Sequence, residues 1–274
     1  RGPRLAVRQN RRMKIQLLSD LHIEANRNFV PRPAPGADLL VLAGDIGSYQ
    51  RRRDGSTMPE ADWALRRFAN WPVPVLFVPG NHEYDALDVD EAHASLRASC
   101  ERLGLHWLER EVWTWRGVRF VGTTLWSDYD AIQPPGSDPL LQREKAYRAA
   151  NHYLRSMAST RHGTLFDAAA MRELSLACQA WLREALARPF DGPTVVITHF
   201  APRCTAPTRA TPSRLAPRSF AMRWMTCCRR PTCGCTGTCT ARPTFAWAAA
   251  ASRPTRWAIA RKRNRRRSTR CAST

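Results

Sequence analysis

Residues 74–83 read PVLFVPGNHE, an apolar run that leads directly into Gly80-Asn81-His82-Glu83. A short, nearly continuous run of β-branched and aliphatic residues is typical of a strand that is buried on both faces. The polar tetrapeptide therefore falls at the carboxyl end of a predicted strand. In α/β sheets that end borders the crevice where sites form, so these four residues are candidates for a functional site.

Four other runs have the same character and are also predicted to be strands. They are residues 13–19, 38–43, 118–125 and 194–198. Helical patterns lie between the strands at residues 61–70, 89–103, 142–158 and 168–187. The alternation of strands and helices predicts an α/β layered fold.

Four of the five predicted strands end at a group that can bind a metal ion. Besides the tetrapeptide, these groups are Asp20 with His22, Asp45 after Gly44, and His199. Because the carboxyl ends of such strands border one crevice, we expect these side chains to converge. Carboxylate and amide oxygens combined with imidazole nitrogens suit Mn, Fe, Zn, Co or Ni.

The ordered series resembles the motifs of the calcineurin-like metallophosphoesterases over residues 13–202. Its most specific piece is GNHE directly after a strand, because D-x-H and G-D each occur by chance. The resemblance implies a four-layer αββα sandwich of two mixed β-sheets with a two-metal site at one edge. The C-terminal part of that fold is expected to be incomplete in this chain.

The same resemblance implies hydrolysis of a phosphate mono- or diester by a hydroxide that bridges two metal ions. The implied ligands are Asp20 and His22 for the first ion, Asn81 and His199 for the second, and Asp45 for both. His82 is implied to stabilise or protonate the leaving group rather than to bind a metal. Asp45 is also expected to position the bridging hydroxide, and Glu83 is expected to be a structural partner.

The chemistry of the chain changes at Arg203. All 23 acidic residues precede that point, whereas residues 204–274 contain no Asp, Glu, His or Val and hold 16 basic residues and seven of the nine cysteines. Residues 13–203 carry a net charge of −1, so the formal charge of +20 belongs to the two ends of the chain. The charge of the whole chain therefore does not indicate a nucleic-acid partner for the central domain.

The G-H-x-H motif that closes the family pattern is missing, and residues 233–240 read CGCTGTCT in its place. Read one nucleotide earlier, that string can encode LWLHGHLH. Some positions in the earlier frame do not depend on codon choice, since Met225 and Thr226 both become Asp and Cys228 becomes Leu. Residues 254–259 can become ANPLGY, which resembles the family's closing N-P-x-G-Y. We therefore predict that residues 204–274 are an out-of-frame, poorly folded basic tail.

Alternative interpretations stay open at this point. The cysteines of the tail could bind zinc, but finger spacing and histidine are absent from that sequence. Residues 261–267 (RKRNRRR) could bind nucleic acid, but off-frame translation of GC-rich DNA also yields arginine. The whole chain could also be a catalytically inactive phosphoesterase remnant that lacks the G-H-x-H ligands.

The remaining expectations concern the ends of the chain and its location. Residues 1–12 are expected to be a non-native or disordered leader before Met13, and residues 13–203 an incomplete calcineurin-like phosphoesterase domain. No run approaches the roughly 18 apolar residues of a membrane span. Only Cys100 and Cys178 precede the change at Arg203, so a disulfide framework is not indicated. A cytoplasmic protein with a small phosphoester substrate is expected.

Overall fold

A computed structural model describes residues 13–48, 64–130 and 136–202 and the backbone of Phe245–Ala249. The strands are β1 (Ile15–Leu18), β2 (Leu39–Ala43), β3 (Val75–Val78), β4 (His106–Trp107), β5 (Glu111–Trp115), β6 (Val118–Thr123), β7 (Thr160–Arg161), β8 (Thr164–Leu165), β9 (Thr194–Thr198) and β10 (Phe245–Ala249). The α-helices are α1 (Val89–Leu103), α2 (Pro139–Met157) and α3 (Ala168–Ala187). Short 3-10 helices span Leu65–Phe68 and His82–Tyr84.

The strands form two four-stranded sheets and a small hairpin. The first sheet has the order β1-β2-β3-β4, and its described pairs are parallel. The second sheet has the order β10-β9-β6-β5 and is mixed, because β5 and β6 form an antiparallel pair beside the parallel pairs of β9. Strands β7 and β8 make the separate hairpin.

Side chains that alternate along the strands separate the fold into layers, since successive residues point to opposite faces of a sheet. One face of the first sheet packs on one face of the second in a buried cluster formed by Leu39, Val41, Ala43, Leu76, Val78, Phe120, Val195 and Ile197. The residues between them, Leu40 and Leu42 among them, join a second cluster with residues of α1 and α3. This arrangement confirms the predicted α/β sandwich.

Aspartates cap the three described α-helices. The side chain of Asp88 accepts hydrogen bonds from the backbone N–H groups of Asp90 and Glu91, and Asp167 accepts one from Ala170. Asp138 caps α2 and is followed by Pro139 in the first helical position, which explains why α2 begins three residues before the predicted 142. The bounds of α1 and α3 agree with those predicted.

The helix predicted over residues 61–70 is wrong for the part that the structure describes. Only the single 3-10 turn Leu65–Phe68 forms there, and residues 61–63 lie outside the described residues. Asn70 has a left-handed φ of 57°, and Pro72 and Pro74 follow closely. A left-handed residue and two prolines end the helical conformation before it can extend.

One strand comes from the segment that was predicted to be out of frame. The backbone of β10 pairs in parallel with β9, with Phe245 opposite Thr194 and Ala249 opposite Thr198. The sequence predicts a poorly folded tail, whereas β10 adds a strand of five residues from that tail to the second sheet. Because the rest of residues 204–274 lies outside the described part of the chain, the prediction for that segment stays a prediction.

None of the described helices is both long enough and apolar enough to cross a bilayer.

Candidate metal centre

The loops that follow β1 and β2 are hydrogen-bonded to each other through their backbones. Asp20 N–H donates to the carbonyl of Gly44, and His22 N–H donates to the carbonyl of Asp45, each at 3.0 Å. On the neighbouring sheet, His199 follows β9 directly, and its Nδ1–H donates to the carbonyl of Ala43 at 2.9 Å. These contacts bring the ends of three strands from both sheets to one place.

Asp45 lies at the centre of this place and is 4% exposed. Its Oδ2 lies 3.4 Å from Nε2 of His199 and 3.8 Å from Nε2 of His22. Asp45 belongs to two groups of possible ligand residues, one with His22 and His82 and the other with Asp20 and His199. Within each group the ligand atoms lie within 4.8 Å of one another. One carboxylate is therefore common to two adjacent groups of metal-binding side chains.

Two of the imidazoles are held at Nδ1, so that Nε2 faces the centre. His22 Nδ1–H donates to Glu24 Oε1 at 3.0 Å, and His199 Nδ1–H donates to the carbonyl of Ala43. Metal-binding histidines in proteins are oriented in the same way, by an acceptor on the nitrogen that does not bind the metal. Together with the carboxylates of Asp20 and Asp45, this donor set fits divalent first-row metals.

The backbone of the centre is strained at three candidate ligands. Asp20, His22 and Asp45 have φ values of 52°, 44° and 54°, in the left-handed region that non-glycine residues rarely adopt. Each such residue costs about 1–3 kcal/mol, and residues of this kind cluster at functional sites. The hydrogen bonds between the two loops hold this conformation in place.

Two glycines allow the loops to approach one another. A Cβ on Gly80 would lie 2.2 Å from Asp45 Oδ1, and a Cβ on Gly44 would lie 2.4 Å from Nδ1 of His199. Gly44 also has a φ of 85°. Both positions therefore require glycine, because any side chain would displace a candidate ligand.

Glu83 holds the same loops together from within the protein. Its buried carboxylate accepts hydrogen bonds from four backbone N–H groups, those of Asp45, Ile46, Gly47 and Gly80. Burial and the charge of Asp45 raise the pKa of Glu83 to about 7, although the backbone donors act in the opposite direction. The geometry agrees with the expectation that Glu83 is a structural partner.

Replacing Glu83 with glutamine is expected to lower the free energy of unfolding by roughly 2–6 kcal/mol. The amide nitrogen of glutamine cannot accept, so about two buried N–H groups lose their acceptor at about 1–3 kcal/mol each. Urea unfolding measures the change, with the exposed Glu91→Gln as the control that should change stability by less than about 0.5 kcal/mol. An equally small change in Glu83→Gln would contradict this account of the loops.

His82 lies at the more open side of the centre, with its side chain 18% exposed. Its Nδ1–H donates to Asp85 Oδ2 at 2.6 Å, and its Nε2 shares a hydrogen bond of 3.1 Å with the hydroxyl of Tyr153 on α2. The rings of His82 and His22 meet edge to face with centroids 4.9 Å apart. His82 therefore presents Nε2 beside the candidate ligands.

Electrostatics couple these histidines to the carboxylates. Burial lowers the pKa of His199, but the charge of Asp45 and the hydrogen bond to it prevail and raise that pKa to about 9. Burial likewise lowers the pKa of His82, but the hydrogen bond to Asp85 and the charge of Asp45 prevail and raise that pKa to about 9. Burial raises the pKa of Asp45, but the charge of His199 prevails and lowers it below its usual value.

The metal-free chain is expected to lose stability as the pH rises from 6.5 towards about 9. The folded-state pKa values of His82 and His199 lie above their ordinary 6.5, so the folded chain binds more protons than the unfolded chain over this range. The stability that these two histidines contribute is therefore fully present below pH 6.5 and is lost as the pH rises towards about 9. Urea unfolding in the presence of a chelator tests this. The exposed His162→Gln should keep the same slope, and stability that rises over this range would contradict the prediction.

The structure brings five of the six predicted site residues together. Asp20, His22, Asp45, His82 and His199 contribute to the two groups of ligand atoms, and Asn81 lies immediately before the 3-10 helix that begins at His82. His82, predicted not to bind a metal, is close enough to Asp45 and His22 to belong to one of the groups.

Sequence reasoning missed the residues that contact the imidazoles from behind or from the side. They are Glu24, Asp85 and Tyr153, together with Ser48, which contacts the carboxylates of Glu24 and Asp85 rather than an imidazole. Glu24 and Asp85 lie two and three residues after the histidines that they contact. That short spacing is the signal that could have identified them.

A model of the calcineurin-like phosphoesterase family matches residues 13–223, a range that includes every candidate ligand and extends past Arg203. Among solved structures, the phosphopantetheinyl hydrolase from Mycobacterium tuberculosis is 21% identical with a TM-score of 0.49, over 69% of this chain and 68% of that chain. A search of curated proteins found no significant match.

Proposed function

The chain belongs to the calcineurin-like phosphoesterase family, and from this we propose that its metal centre hydrolyses a phosphate mono- or diester with the help of two metal ions. The observation that carries the proposal is the carboxylate of Asp45, which is common to both groups of ligand atoms. A shared carboxylate is how two ions are held close enough to act on one phosphoryl group.

The assignment of residues to the two ions comes from the family resemblance and differs from the two groups of close atoms, which pair His22 with His82 and Asp20 with His199. Asp20 and His22 would bind one ion, Asn81 and His199 the other, and Asp45 both. When bound, such ions supply positive charge to the phosphoryl oxygens and lower the pKa of water at the site. The strained loops and Glu83 would contribute by fixing the carboxylates before a metal or substrate binds.

His82 would assist the departure of the leaving group. An alcohol leaves a phosphoester more readily when its oxygen receives a proton or a hydrogen bond. Nε2 of His82 points away from Asp85. The hydrogen bond described for this nitrogen is to the exposed hydroxyl of Tyr153. A substrate oxygen could take the place of that hydroxyl.

We also propose that the family site is incomplete in this polypeptide because residues 204–274 are read out of frame. The frame one nucleotide earlier can supply the G-H-x-H histidines, and several of its residues do not depend on codon choice. An incomplete ligand set weakens metal binding, so this chain is expected to turn over slowly or hardly at all. The inactive remnant is therefore retained as the second candidate.

The function is tested with the full chain, purified with a chelator and then supplied with Mn²⁺. Hydrolysis of bis(4-nitrophenyl) phosphate and 4-nitrophenyl phosphate is expected to be slow, to require the metal and to stop when the chelator is restored. Hydrolysis that persists in the chelator would contradict the proposal. So would a complete lack of turnover both in this chain and in the chain with its earlier frame restored.

A further inference from the structure

A buried chain of hydrogen bonds lies behind His82. Asp85 Oδ2 accepts from Nδ1–H of His82 at 2.6 Å and from the hydroxyl of Ser48 at 2.5 Å. Asp85 and Ser48 are each 1% exposed. Burying a carboxylate without hydrogen-bond donors is costly. The two donors therefore stabilise the carboxylate of Asp85, and the carboxylate in turn holds the ring of His82.

Ser48 also connects this chain to His22. Its backbone N–H donates to Glu24 Oε2 at 2.9 Å, and Glu24 Oε1 accepts from Nδ1–H of His22 at 3.0 Å. One buried serine thus contacts both carboxylates that orient the imidazoles on the open side of Asp45. It does so with two different groups, the hydroxyl towards Asp85 and the backbone towards Glu24.

The hydrogen bond at Nδ1 restricts the rotation of the His82 ring. Turning the ring would break a short bond between an imidazole and a buried carboxylate, and such bonds are among the stronger ones in proteins. With Nδ1 fixed, Nε2 remains directed at the hydroxyl of Tyr153, 3.1 Å away on the exposed side. The side chain of Ser48 limits Asp85 in the same way, since it binds the same oxygen.

We propose that Asp85 and Ser48 are positioning residues that hold His82 in the orientation from which Nε2 reaches the leaving oxygen of a phosphoester. This inference rests on the proposed function, because it takes His82 as the group that assists the leaving group. Neither residue touches the substrate. Each acts through the imidazole, as the partners behind metal-binding histidines do.

The orientation is measured without turnover, by proton NMR of the full chain with ¹⁵N-labelled histidine. The Nδ1 proton of an imidazole bonded to a buried carboxylate resonates far downfield, and His82→Gln assigns it by its loss. Asp85→Asn is expected to abolish or strongly shift this resonance, and Ser48→Ala to shift it. Ser48→Thr, which keeps the hydroxyl, should restore it. Glu24→Gln is the matched control and should leave the His82 resonance in place.

A kinetic series then separates positioning from a structural role. Aryl phosphodiesters with leaving groups of increasing pKa are hydrolysed by the Mn²⁺-loaded chain with its earlier frame restored and by the Asp85→Asn variant of that chain. We expect kcat to fall about 10–100-fold for the poorest leaving group and much less for the best, with KM nearly unchanged. A purely structural role would lower all the rates by the same factor, and that result would overturn the proposal.

The two readouts distinguish this inference from the function on which it rests. A His82 resonance that is unchanged in both Asp85→Asn and Ser48→Ala overturns the positioning of His82, whatever the turnover. A resonance that responds as expected in a chain with no metal-dependent turnover supports the orientation and overturns the phosphoesterase function of this polypeptide.

Discussion

Restoring the earlier reading frame from Arg203 onward is expected to raise metal-dependent phosphodiester hydrolysis by more than about 100-fold. Removing a residue that only orients a metal ligand already costs about 10–100-fold in metal affinity or activity. The loss of two direct ligands should therefore have a larger effect. The restored frame can supply both histidines of G-H-x-H and the apolar strand before them. The measurement compares turnover of bis(4-nitrophenyl) phosphate and metal content in the two proteins.

A chain that ends at Pro202 is the matched control for this comparison. It lacks the basic tail and the restored segment alike, so it is expected to be as inactive as the chain described above. Equal gains in the truncated and the restored proteins would mean that the tail is inhibitory rather than out of frame. Nucleotide sequencing around Arg203 decides the premise directly, because a stop codon or the lack of G-H-x-H in the earlier frame contradicts it.

The buried strands could be predicted because both of their faces are covered. In β2 and β9 every residue is buried, which requires the continuous apolar runs that mark them in the sequence. Strand β5 was missed because it lies at the edge of its sheet and alternates half-buried Trp113 and Trp115 with exposed Val112 and Thr114. A search for continuous apolar runs does not detect an alternating strand of this kind.

The candidate ligands could be predicted for a related reason. Asp45 and His199 come within two residues of the end of a buried strand, so the sheet alone fixes where they lie. Ser48 and Tyr153 depend on tertiary placement instead. Ser48 contacts the carboxylate of a residue 37 positions away in the sequence. Tyr153 lies on a helix that carries no recognisable motif and contacts a histidine 71 positions away. Contacts of this kind cannot be predicted from the spacing of residues in the sequence.

Replacing Asp45 with asparagine is expected to weaken the binding of both metal ions by more than about 100-fold, because each group of ligand atoms loses the carboxylate that the two share. The fold should be largely retained. The amide oxygen of asparagine can still accept the hydrogen bond that Asp45 Oδ1 receives from the backbone N–H of His82 at 2.9 Å. Calorimetric titration of the chelator-treated full chain with Mn²⁺ gives the affinity and the number of ions bound.

The decisive comparison is with variants that touch only one group. His22 and Asp20 each lie in only one group of ligand atoms. His22→Gln and Asp20→Asn are therefore each expected to weaken the binding of one ion and to leave the other near its original affinity. Asp90→Asn serves as the matched control, since Asp90 is half-exposed and contacts Arg161 outside the centre. If Asp45→Asn instead loses one ion and binds the second as the parent does, the carboxylate is not shared. The two-metal site proposed from its position would then be wrong, because both groups depend on that one side chain.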